Sequence, residues 1–172
     1  MPSRSGAKRT TEPTQLSHYD RAGRVAMVDV SEKTQNKRTA VAHAFVSMSS
    51  SVIKALPKNA KGDPLEIARI AGIMAGKRTA ELIPLCHPLP LSHLDVSCTI
   101  RTRRVKKGIE IRAEASTTAQ TGVEMEAMMA ASIAALTVYD MTKALDKGIE
   151  IGEVYLLEKT GGKSGTYRRA KA

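Results

Sequence analysis

The sequence predicts an α+β fold of the ferredoxin-like kind, β-α-β-β-α-β, in which two helices cover one face of an antiparallel sheet. Three observations predict it. Residues 121–143 form the longest helical pattern, with a middle made almost entirely of Ala, Met, Ile, Leu and Val. Residues 94–105 and 109–118 flank Lys106-Lys107-Gly108 and read as a β-hairpin. Asp63-Pro64-Leu65-Glu66 supplies a helix start: an acid at the N-cap, proline at the first helical position and glutamate at the third.

Composition bounds the rest. The chain has 172 residues, 42% hydrophobic and 26% charged, which suits one domain with a core between a polar arm at 1–16 and a basic tail at 166–172. No apolar run approaches the roughly 18 uncharged residues needed to span a bilayer, and the basic N-terminus is not followed by the apolar segment of a secretory signal. Cys86 and Cys98 alone make neither a disulfide framework nor a spaced zinc motif, so a reducing cytoplasm is the expected compartment. The formal charge of +10 suggests an anionic partner, but residues 1–15 carry +2 and residues 160–172 carry +4, leaving only +4 on the body. With one Phe, four Tyr and no Trp, the chain is poor in the rings on which single-strand binders stack bases, so a small phosphorylated ligand fits better than nucleic acid.

Taken in order, residues 24–30 read as a short strand and 39–48 as a second or an extension of it, with His43 placed as a structural histidine. Residues 49–56 suggest a helical turn ending at Pro57. A polar loop follows, in which Lys61 sits on a Lys-Gly-Asp turn from which an ammonium can reach a ligand. The helix opened by Asp63 is expected to run to about Leu82, with Ile67, Ile70, Ala71 and Met74 at helical spacing.

Prolines at 84, 88 and 90 then stiffen an extended segment that holds Cys86 and His87. Adjacent residues of an extended chain point to opposite sides, so these two form a poor chelating pair. His87 is better placed as an acid, a base or a phosphate donor, because imidazole titrates near neutrality.

After the hairpin comes the long helix. Glu124 and Glu126 open it, where carboxylates suit the positive end of the helix dipole. Asp140 and Lys143 interrupt the apolar pattern three residues apart, on one face, as an ion pair. A helix apolar nearly all round is expected to bury one face on the sheet and another on a second subunit. Glu126 and Asp140 stand 14 residues apart, about 21 Å of helix. If both serve one site, the simplest geometry is a pocket shared between copies of the chain.

Closure of the helix is expected at Gly148, followed by a last strand at 149–158. Residues 159–165, KTGGKSG, contain the Gly-Lys-Ser end of a phosphate-binding P-loop. The full motif fails, because Leu157 stands where its first glycine belongs and no helix can follow in the basic tail. Two readings remain: backbone amides and Lys159 and Lys163 approaching an oxyanion, or a flexible exit from the strand.

Four blocks, LIPLCHPL at 82–89, TGVEMEA at 121–127, LTVYDMTK at 136–143 and KTGGKSG at 159–165, closely resemble the cyclic pyranopterin monophosphate synthases, the MoaC proteins of molybdenum cofactor biosynthesis. MVDVS at 27–31 and the Lys-Gly-Asp turn at 61–63 extend the match from about residue 17 to 165. The resemblance implies a single ferredoxin-like domain over 17–165. It implies a lyase that converts 3′,8-cyclo-7,8-dihydroguanosine 5′-triphosphate to cyclic pyranopterin monophosphate and releases pyrophosphate. It also implies a homohexamer, a trimer of dimers, with active sites at a dimer interface. No cofactor is expected beyond Mg²⁺ able to accompany the triphosphate, and neither a membrane nor a nucleic-acid partner.

On that basis Asp140, Lys143 and Lys61 are expected to be catalytic. Cys86, His87, Glu124, Glu126, Lys159 and Lys163 are expected to bind substrate. The rivals are a non-catalytic nucleotide- or RNA-binding module on the same fold, and a structural oligomer in which the apolar helix serves only assembly.

Overall fold

A computed structural model describes residues 18–19, 22–60, 62–103 and 106–170. The polar arm at 1–16 and Lys61 therefore lie outside the described residues.

Within them the chain runs β1 (Asn36–Ser47), α1 (Ser50–Ala55), a 3-10 turn (Leu56–Lys58), α2 (Pro64–Gly76), α3 (Thr79–Leu82), β2 (Leu91–Arg103), β3 (Lys106–Ala119), α4 (Glu124–Thr142), β4 (Glu150–Thr160) and β5 (Tyr167–Arg168). The sheet order is β2-β3-β1-β4-β5, antiparallel throughout, which is the expected ferredoxin-like arrangement with one added edge strand. The period of two decides which face is buried. Ala40, Ala42, Ala44 and Val46 of β1, and Ile109, Ile111, Ala113 and Ala115 of β3, point to the helices and are buried. The opposite face carries charge, with Arg101 paired to Glu110 and Arg112 to Glu114.

Helix α2 starts as its sequence dictates. Asp63 Oδ1 accepts the backbone N–H groups of Leu65 and Glu66 at 2.9 and 3.4 Å, and Pro64 needs no hydrogen bond at the first position. Small residues let α2 and α4 approach closely. Ala127, Ala130, Ala131, Ala134, Ala135 and Val138 of α4 are fully buried. A side chain added at Gly72 of α2 would come within 2.7 Å of the Ala130 carbonyl oxygen. Any larger residue there must push the helices apart.

Four expectations change. Residues 24–30 are not a strand: only an isolated bridge joins Tyr19 to Val25, and Val25 and Met27 lie exposed. A strand-like pattern becomes a strand only where a sheet edge pairs with it, and the edge of β4 is taken by β5, while residues 24–30 pair with neither outer strand of the sheet.

The helix begun at Asp63 does not reach Leu82 in one piece. It stops at Gly76, whose α-carbon faces the Glu126 carbonyl oxygen and Leu94, and restarts at Thr79, whose hydroxyl donates to the Gly76 carbonyl at 2.9 Å.

The hairpin pairs Arg103 with Lys106, so Lys106, Lys107 and Gly108 belong to β3 rather than to the turn. Helix α4 ends at Thr142, well before Gly148, where the Thr142 hydroxyl donates to the Val138 carbonyl at 2.7 Å. Its sheet and α2 faces are covered, while Met125 and Leu136 are exposed on its outer side.

Candidate active site

Three segments meet at the N-terminal end of α4: the proline-stiffened stretch before β2, the turn from β3 into α4, and the glycine-rich turn after β4. They enclose two adjoining cavities of about 370 and 350 Å³ that share Lys33, Thr121, Gly122 and Glu124.

The first cavity is cationic. Lys33, Arg38, Lys159 and Lys163 line it, with Glu124 as its acid. Arg38 stands at the start of β1 and is fixed by donating from Nε to the Ala119 carbonyl and from Nη2 to the Gln120 carbonyl, both at 2.9 Å. The glycine turn folds over it. Gly161 and Gly162 have φ of +86° and +75°, a left-handed conformation open chiefly to glycine. A side chain at Gly162 would come within 2.1 Å of Arg38 Nη1, and one at Gly161 within 2.4 Å of the Lys37 carbonyl oxygen. The turn is closed by the Gly165 N–H donating to the Gly162 carbonyl at 3.1 Å and by Lys159 Nζ donating to Ser164 Oγ at 2.8 Å. It leads into β5, not into a helix, so it is neither a P-loop nor a loose exit.

The second cavity is lined by Cys86, His87, Glu124, Glu126 and Met125, with Lys33 and His18 at its rim. A turn closed by the Cys86 N–H on the Ile83 carbonyl, at 3.0 Å, brings Cys86 and His87 to the same space although they are neighbours in sequence. Burial, and then the carboxylate of Glu126, push the Cys86 thiol up from its ordinary range, so at neutral pH it remains a thiol and not a nucleophile. Among the described residues no group of three His, Cys, Asp or Glu side chains is placed to hold a metal ion.

The two carboxylates of this end differ. Glu124 pairs with Lys159 at 3.0 Å, each about a quarter exposed. Glu126 is 4% exposed, and its Oε2 is the buried side-chain oxygen left without a hydrogen bond among the described residues. Burial raises its pKa, the N–H at its own backbone opposes that, and the nearby charge of Glu124 adds to the rise. A buried carboxylate with an unused acceptor costs stability, and a ligand N–H can recover that cost.

Six of the expected residues, Cys86, His87, Glu124, Glu126, Lys159 and Lys163, thus gather at one end of α4. Asp140 and Lys143 do not. They lie at the other end, joined by a 2.6 Å ion pair whose side chains are 61% and 50% exposed. A lysine poised for proton transfer is usually buried enough to lower its pKa, and within one protomer Lys143 is not. Contact with Asp140 raises it instead, first through the hydrogen bond and then through the opposite charge. Close by, Asn59 Nδ2 donates to the Met141 carbonyl at 2.8 Å and ties the end of the 3-10 turn to this end of the helix.

Arg38 and Lys33 are the site residues that sequence reasoning missed. Each lies in a stretch where charge and polarity are unremarkable, and only the closure of β1 against β3 and the glycine turn puts them together.

The family model describing the MoaC family matches residues 27–162. The chain is 52% identical over 157 residues to a cyclic pyranopterin monophosphate synthase of Thermomicrobium roseum, an alignment spanning 90% of this chain and 93% of that one. It is 49% identical over 156 residues to the protein of that name in Bacillus subtilis, spanning 90% and 92%, and 50% identical over 159 residues to that of Staphylococcus aureus, spanning 91% and 97%. Both cavities described above are built largely from the matched segment. The chain belongs to the MoaC family.

Proposed function

We propose that the protein is a lyase of molybdenum cofactor biosynthesis that forms cyclic pyranopterin monophosphate from 3′,8-cyclo-7,8-dihydroguanosine 5′-triphosphate and releases pyrophosphate. The observation that carries this is the junction of a cation-lined cavity with a buried, unpartnered carboxylate, in a chain about half identical to synthases of that name. The rival RNA-binding module has less support, because four cations, Lys33, Arg38, Lys159 and Lys163, converge on one cavity of a small ligand's size.

The residues suit the chemistry. Arg38, Lys33 and Lys163, with amides of the glycine turn, offer positive charge to triphosphate oxygens and to the pyrophosphate leaving group. Lys159 and His87 complete that shell. Glu124 and Glu126 can accept the N–H groups of the guanine-derived ring. Opening the imidazole part of the purine and building a pterin needs several proton transfers, and at this end the described groups are phosphate binders and acceptors. Asp140 and Lys143 are the pair suited to the proton transfers, with Lys61 as a second acid or phosphate ligand.

One α4 cannot present both ends to one nucleotide, since about 21 Å separates them. The active site is therefore composite: the cavity of one copy is completed by Asp140 and Lys143 of another, in a homohexamer built as a trimer of dimers. The exposed Met125 and Leu136 on the outer side of α4 support such an interface. Mg²⁺, if it takes part, arrives with the triphosphate. No helix among the described residues is long and apolar enough to cross a membrane, and the free thiols Cys86 and Cys98 suit a cytoplasmic enzyme.

The test is direct. The purified protein is incubated with the cyclised nucleotide, and pyrophosphate and the cyclic phosphate product are followed by mass spectrometry. Equimolar formation of both supports the assignment, and an unchanged nucleotide at high enzyme concentration removes it.

A further inference from the structure

We propose that Tyr167, on the C-terminal strand β5, is the stacking platform for the guanine-derived ring of the substrate, which rests on the nucleotide reading above and assigns it a binding residue outside the segment matched by the family. That match ends at residue 162.

The placement follows from register. The glycine turn reverses the chain, and β5 returns along β4 with Tyr167 opposite Lys159 and Arg168 opposite Glu158. Directly opposed residues of an antiparallel pair project from the same face, so Tyr167 stands beside Lys159, whose ammonium meets Glu124 at 3.0 Å.

Three contacts hold the strand: the Arg169 N–H donates to the Leu157 carbonyl at 2.8 Å, Arg168 pairs with Glu158 at 3.4 Å, and the Arg169 guanidinium lies 4.1 Å from the centre of the Tyr155 ring.

Between Tyr167 and the end of α4 lies an open cavity of about 610 Å³, lined by Glu124, Leu156, Lys159, Ser164, Tyr167 and Arg169. Glu124, Lys159 and Ser164 also line the cationic cavity. One ligand can therefore lay its phosphates among Lys33, Arg38 and Lys163 and its ring at Glu124, which lines all three cavities, with an edge turned to the carboxylates and a face to Tyr167.

A flat pyrimidinone ring is held by π-faces as well as by hydrogen bonds. Among the described residues, Tyr167 is the one Phe or Tyr side chain lining the three adjoining cavities. The others are engaged elsewhere. Tyr155 stacks on His43 with ring centres 4.8 Å apart, Phe45 lies under Lys106, Tyr139 reaches toward the Lys147 carbonyl, and Tyr19, exposed like Tyr167, lines none of the three cavities. Tyr167 is 41% exposed, and among the described residues its ring stacks on no other ring and lies under no cation.

Steady-state kinetics with the cyclised nucleotide test this, with guanosine triphosphate and pyrophosphate as inhibitors. Tyr167→Ala is expected to raise KM and the inhibition constant of guanosine triphosphate about tenfold, as loss of one stacked base does. The constant for pyrophosphate, which has no ring, should move less than twofold, and Tyr167→Phe, which keeps the ring, should shift KM less than threefold.

Equal weakening of pyrophosphate would overturn the proposal, because it would show a damaged wall and not a lost ring contact; so would an unchanged KM. The full-length Tyr167→Trp variant gives a second readout, since the chain has no Trp. Its fluorescence should be quenched saturably by guanosine triphosphate and not by pyrophosphate, and a flat titration overturns the proposal. A wild-type protein that leaves the cyclised nucleotide unchanged would remove the catalytic reading, while the fluorescence titration would still judge Tyr167.

Discussion

The two ends of α4 carry similar residues in opposite settings. At the start, Glu124 is half-buried against Lys159, and Glu126 is buried with an oxygen unused. At the finish, Asp140 and Lys143 satisfy one another in water. The first setting is a walled cavity, whereas the second is an exposed ion pair without walls. An acid and a lysine in solvent have ordinary chemistry, so whatever makes them useful must be brought to them. On the proposed reading, that difference separates recognition from proton transfer along one rigid element.

The comparison breaks most sharply at Lys143. Lys143→Ala or Asp140→Asn is expected to lower turnover at least about 100-fold, the usual scale for losing a proton-transfer group. Activity near wild type, with the oligomer intact, would leave the far end without a role. Mixing the inactive Lys143→Ala protein with an inactive Lys163→Ala protein, under conditions that exchange subunits, should restore roughly a quarter of the sites if each is shared between two copies. Persistent silence of the mixture would place both ends in unrelated functions.

The near end can be probed through stability. Burial raises the Glu126 pKa above its unfolded value, so the folded state holds the proton more tightly. The resulting stability is fully present below the unfolded pKa near 4.5 and is lost as pH rises through the folded pKa. Glu126→Gln cannot ionise. Thermal unfolding of the two proteins should therefore diverge in favour of the variant as pH rises from about 4 toward 7, and parallel curves would show that the carboxylate is solvated.

Smaller effects belong to the glycine turn. Gly161→Ala should cost about 1–2 kcal/mol for the left-handed backbone, plus the clash with the Lys37 carbonyl at 2.4 Å. At Gly165, also left-handed but facing open space, only the first cost applies. Chemical denaturation of the two variants separates these contributions.

Least of all should happen to stability at the far end. The Asp140–Lys143 pair is exposed, and such pairs contribute little, so Lys143→Ala should melt indistinguishably from wild type by calorimetry. A large drop would make the pair structural.

Much of this was legible in the sequence for identifiable reasons. The Asp63-Pro64 start, the strand alternation and the buried alanines of α4 are local signals, and local signals give the ferredoxin-like order. What failed was decided at a distance. Residues 24–30 have a strand-like pattern but pair with no edge of the sheet, and α2 breaks at Gly76, where α4 and β2 press on it.

The site divided in the same way. Glu124, Glu126, Lys159 and Lys163 lie in recognisable blocks, whereas Arg38 and Tyr167 gain meaning only from strand pairing: one is fixed by carbonyls at the end of β3, the other is set opposite Lys159. The opposite exposures of the two carboxylate sets could not be read either, because a residue pattern does not say which helix end is enclosed.

The length of α4 has a consequence for how such a chain can change. A helix is a ruler with a phase: each residue advances about 1.5 Å and turns about 100°. One residue inserted between Ala130 and Ala135 would swing Asp140 and Lys143 by that angle relative to Glu126, onto a side that no longer meets the same neighbour. Loops such as that before β2 can lengthen or shorten with little effect on this geometry, but the middle of α4 can exchange one small residue for another and cannot gain or lose one.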